Sequence, residues 1–204
     1  VAIDSSGYDN YGTLQGGIRF VEGQSGKALL FDDIDDWVDC GNDASLANVE
    51  SVSVAAWIVR YRTGGERRIA SNHNNKTGGY KLTVYSNNKV EFEVRTDKNA
   101  STTNRNVAAG TVLDAEVWYH VVGVYEKGTA LRTYVNGKLD REFATTNVAG
   151  ISDGVFRIGR ESHSTGNRWI GRIDDVRVYN KALTEAEIQQ LAAVEPPAAP
   201  APQP

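Results

Sequence analysis

The chain has 204 residues, 40% hydrophobic and 24% charged, with a formal net charge of −4. That length suits one domain or a domain with a tail, and it is enough to bury roughly 70% of the unfolded surface. The acidic balance lacks the bulk basicity that nucleic acid or an anionic membrane attracts, no apolar run approaches the ~20 residues that insert across a bilayer, and a single cysteine, Cys40, excludes an internal disulfide framework.

In chain order, strand-like runs occupy residues 27–31, 37–40, 52–61, 80–85, 90–95, 117–125, 131–135, 139–143, 155–158 and 173–179. The runs are separated by turns of Gly, Asn and Asp. In 37–40, Val38 and Cys40 share one strand face and Trp37 and Asp39 the other, which reads Cys40 as a small buried hydrophobe. Asn136-Gly137 between two alternating runs predicts a tight hairpin, and Asn87-Asn88 predicts another. In the last run, Ile173, Val176 and Val178 interleave with Asp175 and Arg177, as in a half-buried strand.

One helix is predicted, at 185–193. Thr184 and Glu187 form its capping box, and Leu183 with Ile188 supplies a hydrophobic staple. All five prolines lie between Pro196 and Pro204, so 195–204 reads as a semi-rigid Pro/Ala-rich linker and 1–194 as the folded unit. Strands throughout with one terminal helix specify an all-β fold, a two-sheet antiparallel β-sandwich with a short C-terminal helix. The start at Val1, without the charged and apolar regions of a signal peptide, implies either a removed signal peptide or a domain cut from a longer protein.

Several motifs follow one another in a telling order. They are Asp4-x-Ser6-Gly7 with Gly12-x-Leu14; Gly26-Lys27-Ala28-Leu29-Leu30-Phe31-Asp32 with Asp36-Trp37-Val38; and Val52-Ser53-Val54-Ala55-Ala56-Trp57. Trp118-Tyr119-His120-Val121-Val122, Leu131-x-x-Tyr134-Val135-Asn136-Gly137-Lys138 and the close GRIDDVRVYNKALTEAEIQQL (171–191) complete the series. Together they resemble the laminin-G-like (concanavalin A-like) jelly-roll family over nearly the whole folded part. Ile34 departs from the family, which turns with Gly after Asp32, so the loop 32–36 is expected to be built differently.

The resemblance implies a jelly roll that binds sugar rather than transforming it. It also implies a structural calcium joining the first segment to the last strand, with Asp4, the backbone oxygen of Gly26 and Asp174 as ligands, all oxygen donors as a hard cation prefers. The plain alternative is that Asp4 caps a turn and Asp174 accepts backbone hydrogen bonds. Same-fold family-16 glycosidases carry Glu-x-Asp-x-x-Glu along one strand face, and jelly-roll alginate lyases carry a Gln-Ile-His strand; neither string occurs. The run 32–39 lacks glutamate and reads as a solvated turn, and His120 reads as a satisfied sheet residue. The expectation is therefore a non-enzyme.

Sugar recognition needs an aromatic plate and a few fixed polar groups. Trp57 and Trp118 read as core, and Trp37 fits either role. Trp169 is the candidate plate, because it follows the polar loop 161–168 with His163, Asn167 and Arg168. A second polar loop, 71–80, offers Asn72, His73 and Tyr80. Arginine outnumbers lysine fourteen to eight. Arg60 and Arg62, two apart, are expected on one strand face, with Arg105 in a neighbouring run. Guanidinium forks suit uronate or sulfate, although ion pairs to Glu66, Glu91 and Glu93 account for the same residues. For each of these residues a solvated loop or surface is the plain reading.

The functional expectation is a non-catalytic carbohydrate-binding module, using loops or the concave sheet, from a secreted or cell-surface bacterial protein. Its partners would be a polysaccharide and a catalytic domain attached through the Pro-rich linker, with no nucleic acid and no membrane insertion. The alternatives are a structural or protein-binding domain of an adhesin, and, third, a lyase or hydrolase with unfamiliar residues.

Overall fold

The computed structural model describes residues 1–47, 50–74, 77–95, 104–146 and 149–193; the predicted linker at 195–204 lies outside them. The first strands are β1 (Thr13–Gln15), β2 (Arg19–Glu22), β3 (Lys27–Asp32) and β4 (Trp37–Asp39), followed by a single helical turn, α1 (Ala44–Ala47). Next come β5 (Ser51–Arg60), β6 (Arg67–Ser71), β7 (Gly79–Val84), β8 (Lys89–Arg95) and β9 (Asn104–Val112). The chain then runs through β10 (Tyr119–Glu126), β11 (Ala130–Val135), β12 (Lys138–Ala144), β13 (Arg157–Ile158), β14 (Ile170–Tyr179) and α2 (Glu185–Ala192).

These strands form two seven-stranded sheets, ordered β1-β4-β13-β6-β7-β8-β9 and β12-β11-β10-β5-β14-β3-β2. Every pairing is antiparallel. The expected all-β sandwich is what the residues build, because alternation sends one side of each strand inward. Val52, Val54, Ala56 and Ile58 of β5 pack against Leu82, Val84, Val90, Phe92 and Val94 of β7 and β8 in one core between the sheets. Gly123 of β10 allows a close approach: a Cβ there would sit 2.2 Å from the Phe92 ring. Burying a side chain such as Phe92 contributes about 2–3 kcal/mol.

The second sheet also buries part of its other side. Ala55, Val122, Val124 and Tyr134 face Leu183 and Ile188, so α2 covers the back of that sheet. The Thr184–Glu187 capping box is present in both directions, and the staple residues Leu183 and Ile188 share this cluster. Asn136 and Gly137, at φ 50° and 77°, close the β11–β12 hairpin as a two-residue turn. Asn88, at φ 64°, turns β7 into β8.

The closing strand carries a bulge. On β14 the register against β5 passes from Asp174↔Trp57 to Arg177↔Ala55, three residues answering two. That extra residue puts Ile173, Val176 and Val178 together against the core, although strict alternation cannot place Ile173 and Val176 on one side. The loop after β3 turns at the residue that follows Asp32. Asp33 takes the left-handed φ of 71°, and Asp36 ties the loop down by accepting from the amides of Gly17 at 2.6 Å and Asp32 at 3.0 Å.

Candidate functional site

One side of the first sheet faces away from the core and is polar from edge to edge. The paired register runs Thr13↔Asp39, Asp39↔Arg157, Arg157↔Ser71, Ser71↔Lys81, Lys81↔Glu93 and Glu93↔Asn106. Directly paired residues place their side chains on the same face, so each of the seven strands contributes one polar group to a single row. Opposite charges pair at two places along it: Lys81 Nζ lies 2.9 Å from Glu93 Oε2, and Arg157 Nε 3.9 Å from Asp39 Oδ2. Arg68, Thr83 and Glu91 lie beside the row on the same face, with Arg68 donating to Thr83.

The two polar loops singled out from the sequence converge over this face. Glu161, from the loop after β13, is buried and pairs with Arg68. Its Oε1 accepts from Ser71 Oγ and from the Ser162 amide, both at 3.1 Å. Burial alone would raise the Glu161 carboxyl, but Arg68, with Lys81, outweighs it and holds the group below the usual glutamate range. His73, just past β6, is 2% exposed. Burial, reinforced by Lys81, pushes its imidazole down to about 3, so it is neutral at physiological pH. His163 Nδ1 lies 3.1 Å from the His73 carbonyl oxygen, and the two rings are 5.6 Å apart.

Two aromatic side chains border the face. Trp37 of β4 lies on the side opposite core residue Val38, and the Arg160 guanidinium lies over its ring, 4.2 Å from the centroid. Tyr85, 39% exposed at the end of β7, is close enough to Glu66 and Glu91 for their charges to raise its hydroxyl. Arg68, Thr83, Glu93 and His73 are thus a buried floor, with Tyr85, His163 and Asp39 more open around it.

Several predicted site residues take other places. Trp169 is 0% exposed and belongs to the core; its strand entry turns the indole inward, so it is not a sugar plate. Tyr80 is fully buried, its hydroxyl donating to the Leu46 carbonyl at 2.9 Å. Asn72 is structural too, donating to the same carbonyl at 2.7 Å and accepting from the Tyr80 amide. Asn167 and Arg168 brace the loop through their backbone oxygens, which accept from the Arg68 amide and from Arg67. Arg60 is 2% exposed and donates to Asn88 Oδ1, whereas Arg62 is exposed and pairs with Asp33. They share no face because β5 ends at Arg60 and Arg62 sits in the bend beyond it. Arg105 lies on β9 opposite Val94; its side chain is outside the described residues. Of the nine candidates whose side chains are described, His73 and His163 meet at this face.

The expected calcium ligands lie elsewhere. Asp4 and Asp174 border a cavity of about 710 Å³ between the N-terminal segment and β14, with the exposed Tyr8 and Phe20 beside it. Burial alone would raise the Asp4 carboxyl, but it accepts from the Ser6 hydroxyl and amide and the Asn10 amide, which together outweigh burial and lower its pKa. Asp174 is buried, which raises its pKa, and accepts from the Ser25 amide at 2.8 Å. It has no ion-pair partner among the described residues. Gly26 does not line the cavity, and its carbonyl accepts from the Gly23 amide. The two carboxylates fit a hard cation chemically, and the Gly26 oxygen is the weakest member of the set.

Cys40 packs half-buried against the core, where burial pushes its thiol up to about 12, far from a nucleophile's range. His120 is buried with its ring tilted against that of Trp57, centroids 5.2 Å apart.

A family profile described as the concanavalin A-like lectin/glucanases superfamily matches residues 32–189. The chain belongs to this superfamily. Among solved structures, this lectin-like domain superposes on domain 4 of the extracellular arabinanase AbnA of Geobacillus stearothermophilus, in complex with arabinotriose. The TM-score is 0.77 at 18% identity, covering 93% of this chain and 91% of that one. It also matches the binding domain of paraclostridial mosquitocidal protein 1 (TM-score 0.74, 15% identity) and that of botulinum neurotoxin serotype G (0.70, 14%). Each covers 93% of this chain, which spans only about half of theirs, 48% and 47%. At these identities the likeness establishes the jelly-roll fold. No helix of the described residues is long and apolar enough to cross a membrane.

Proposed function

We propose that this lectin-like domain binds a polysaccharide across the outward face of its first sheet, without cleaving it. The observation that carries the reading is the polar row from Thr13 to Asn106, buried at Ser71 and Glu93, more open at Asp39, and bordered by Trp37 and Tyr85. Donors and acceptors side by side suit vicinal hydroxyls, which both give and accept hydrogen bonds, and aromatic faces suit sugar C–H groups. Arg68, Arg157 and Lys81 are already paired with Glu161, Asp39 and Glu93. That internal neutralisation favours a neutral sugar over a uronate or sulfate.

In the same reading the domain serves a secreted, modular polysaccharide-degrading protein, raising the local concentration of an attached catalytic unit on its polymer. The arabinotriose complex of the arabinanase domain supports both the ligand class and that setting. A calcium ion held by Asp4 and Asp174 would clamp the N-terminal segment to β14, at a distance from the sugar face. Affinity gels and a glycan array, with and without calcium, test the proposal. Retention by a polysaccharide supports it. Silence against plant, algal and animal polysaccharides favours the structural or protein-binding rival, and release of reducing ends or unsaturated products would make the domain an enzyme.

A further inference from the structure

The chain has three histidines. Two of them, His73 and His163, stand ninety positions apart and meet through a hydrogen bond, with Glu161 beside them. We propose that His73, Glu161 and His163 bind a divalent transition metal of the zinc class. One donor atom from each of the three side chains lies within 4.8 Å of the others. Two imidazoles and a carboxylate are a common zinc donor set, and a tetrahedral ion at bond lengths of about 2.0–2.2 Å holds its ligand atoms roughly 3.4 Å apart. The side chains therefore need to close by up to about 1.4 Å, with water completing the shell on the open His163 side.

A second observation points to the same ligand. His73 is almost wholly buried, yet neither of its ring nitrogens has a hydrogen-bond partner. Buried polar groups in folded proteins are nearly always paired. Its Nε2 faces Glu93 Oε1 at 3.5 Å, and that oxygen also lacks a hydrogen-bond partner. A metal on one ring nitrogen and Glu93 on the other would satisfy both, the carboxylate–histidine–metal arrangement that orients bound imidazoles. A carbonyl only accepts, so the His163 Nδ1 contact with the His73 oxygen is a donation that puts the ring's lone pair on Nε2. Arg68 occupies Glu161 Oε2, while Oε1 lies 3.6 Å from His163 Nδ1, the protonated nitrogen, so the imidazole has to turn for its Nε2 to share an ion with that oxygen. Arg68 thus leaves one carboxylate oxygen facing the imidazoles, shared with the Ser71 hydroxyl and the Ser162 amide.

This site does not depend on sugar binding, and its test uses no sugar. Untagged protein, stripped with EDTA and exchanged out of it, is titrated with zinc by calorimetry and with cobalt(II) by visible absorption. The expected result is one saturable equivalent of zinc, with cobalt giving the intense bands of a four-coordinate centre. His163→Ala, on an open loop, should weaken zinc binding at least tenfold while circular dichroism stays native, and Glu93→Gln should weaken it by about tenfold. The proposal is overturned by an absence of saturable zinc binding, or by binding that His163→Ala leaves unchanged. The latter result would assign the ion to another group, such as Asp32, Asp35 and Asp36.

Discussion

The Arg160 guanidinium covers the Trp37 ring at 4.2 Å from its centroid, and Arg160 Nε donates to the Ser164 carbonyl at 3.1 Å. One cation therefore joins the aromatic edge of the sheet face to the loop that carries Glu161 and His163. Trp37→Ala should weaken polysaccharide retention at least tenfold, a loss of about 1.4 kcal/mol, with a melting temperature close to that of the parent. Affinity electrophoresis beside a thermal scan checks both halves. Undiminished retention would remove Trp37 from the site.

Trp169 behaves differently. It fills the core, so Trp169→Ala should cost about 3–5 kcal/mol of stability. Urea unfolding measures this directly. A variant of parental stability that has lost only sugar binding would mean the indole is not where it is placed here.

Acid should destabilise the fold through His120. Burial pushes its imidazole down to about 4, while an unfolded histidine titrates near 6.5. Between those values the unfolded chain takes up a proton that the folded chain refuses, so this contribution is complete above about pH 6.5 and disappears as pH falls towards 4. At the acid end it amounts to on the order of 3 kcal/mol. His120→Phe, which keeps a ring against Trp57, should reduce the fall in melting temperature between pH 6.5 and 4, the remainder coming from His73, which burial also holds down; an unchanged slope would contradict it.

Calcium should raise the melting temperature of chelator-treated protein, and Asp174→Asn should abolish the rise. Zinc added in place of calcium should not reproduce it through this pair, because the donors are all oxygen. A melting temperature indifferent to both chelator and calcium would remove the ion.

Much of the fold was legible because its signals are local. The Asn136-Gly137 turn, the Thr184–Glu187 box and the alternation of β5, β7 and β8 each specify their own structure. The strands β1, β2, β6 and β9 were not read. β1, β2 and β6 are three to five residues long, and β9 is built largely of Asn, Ala and Gly, so only pairing to neighbours defines them. The site was half legible. The polar loops around His73 and His163 were visible as loops, but their meeting depends on β13 lying beside β6. The row through Arg157, Ser71, Lys81 and Glu93 was present as the polar half of each alternating strand. Strand order alone turns it into a surface. Trp169 misled because a polar loop precedes it, and sequence adjacency does not say which way an indole turns.

The most direct test follows backbone amide chemical shifts as an oligosaccharide from a retained polymer is titrated in. The account predicts that perturbations cluster on the first sheet's outward face, at residues 37–39, 66–73, 81–93 and 157–163. Perturbations confined instead to the cavity bordered by Tyr8, Phe20 and Asn180 would contradict it.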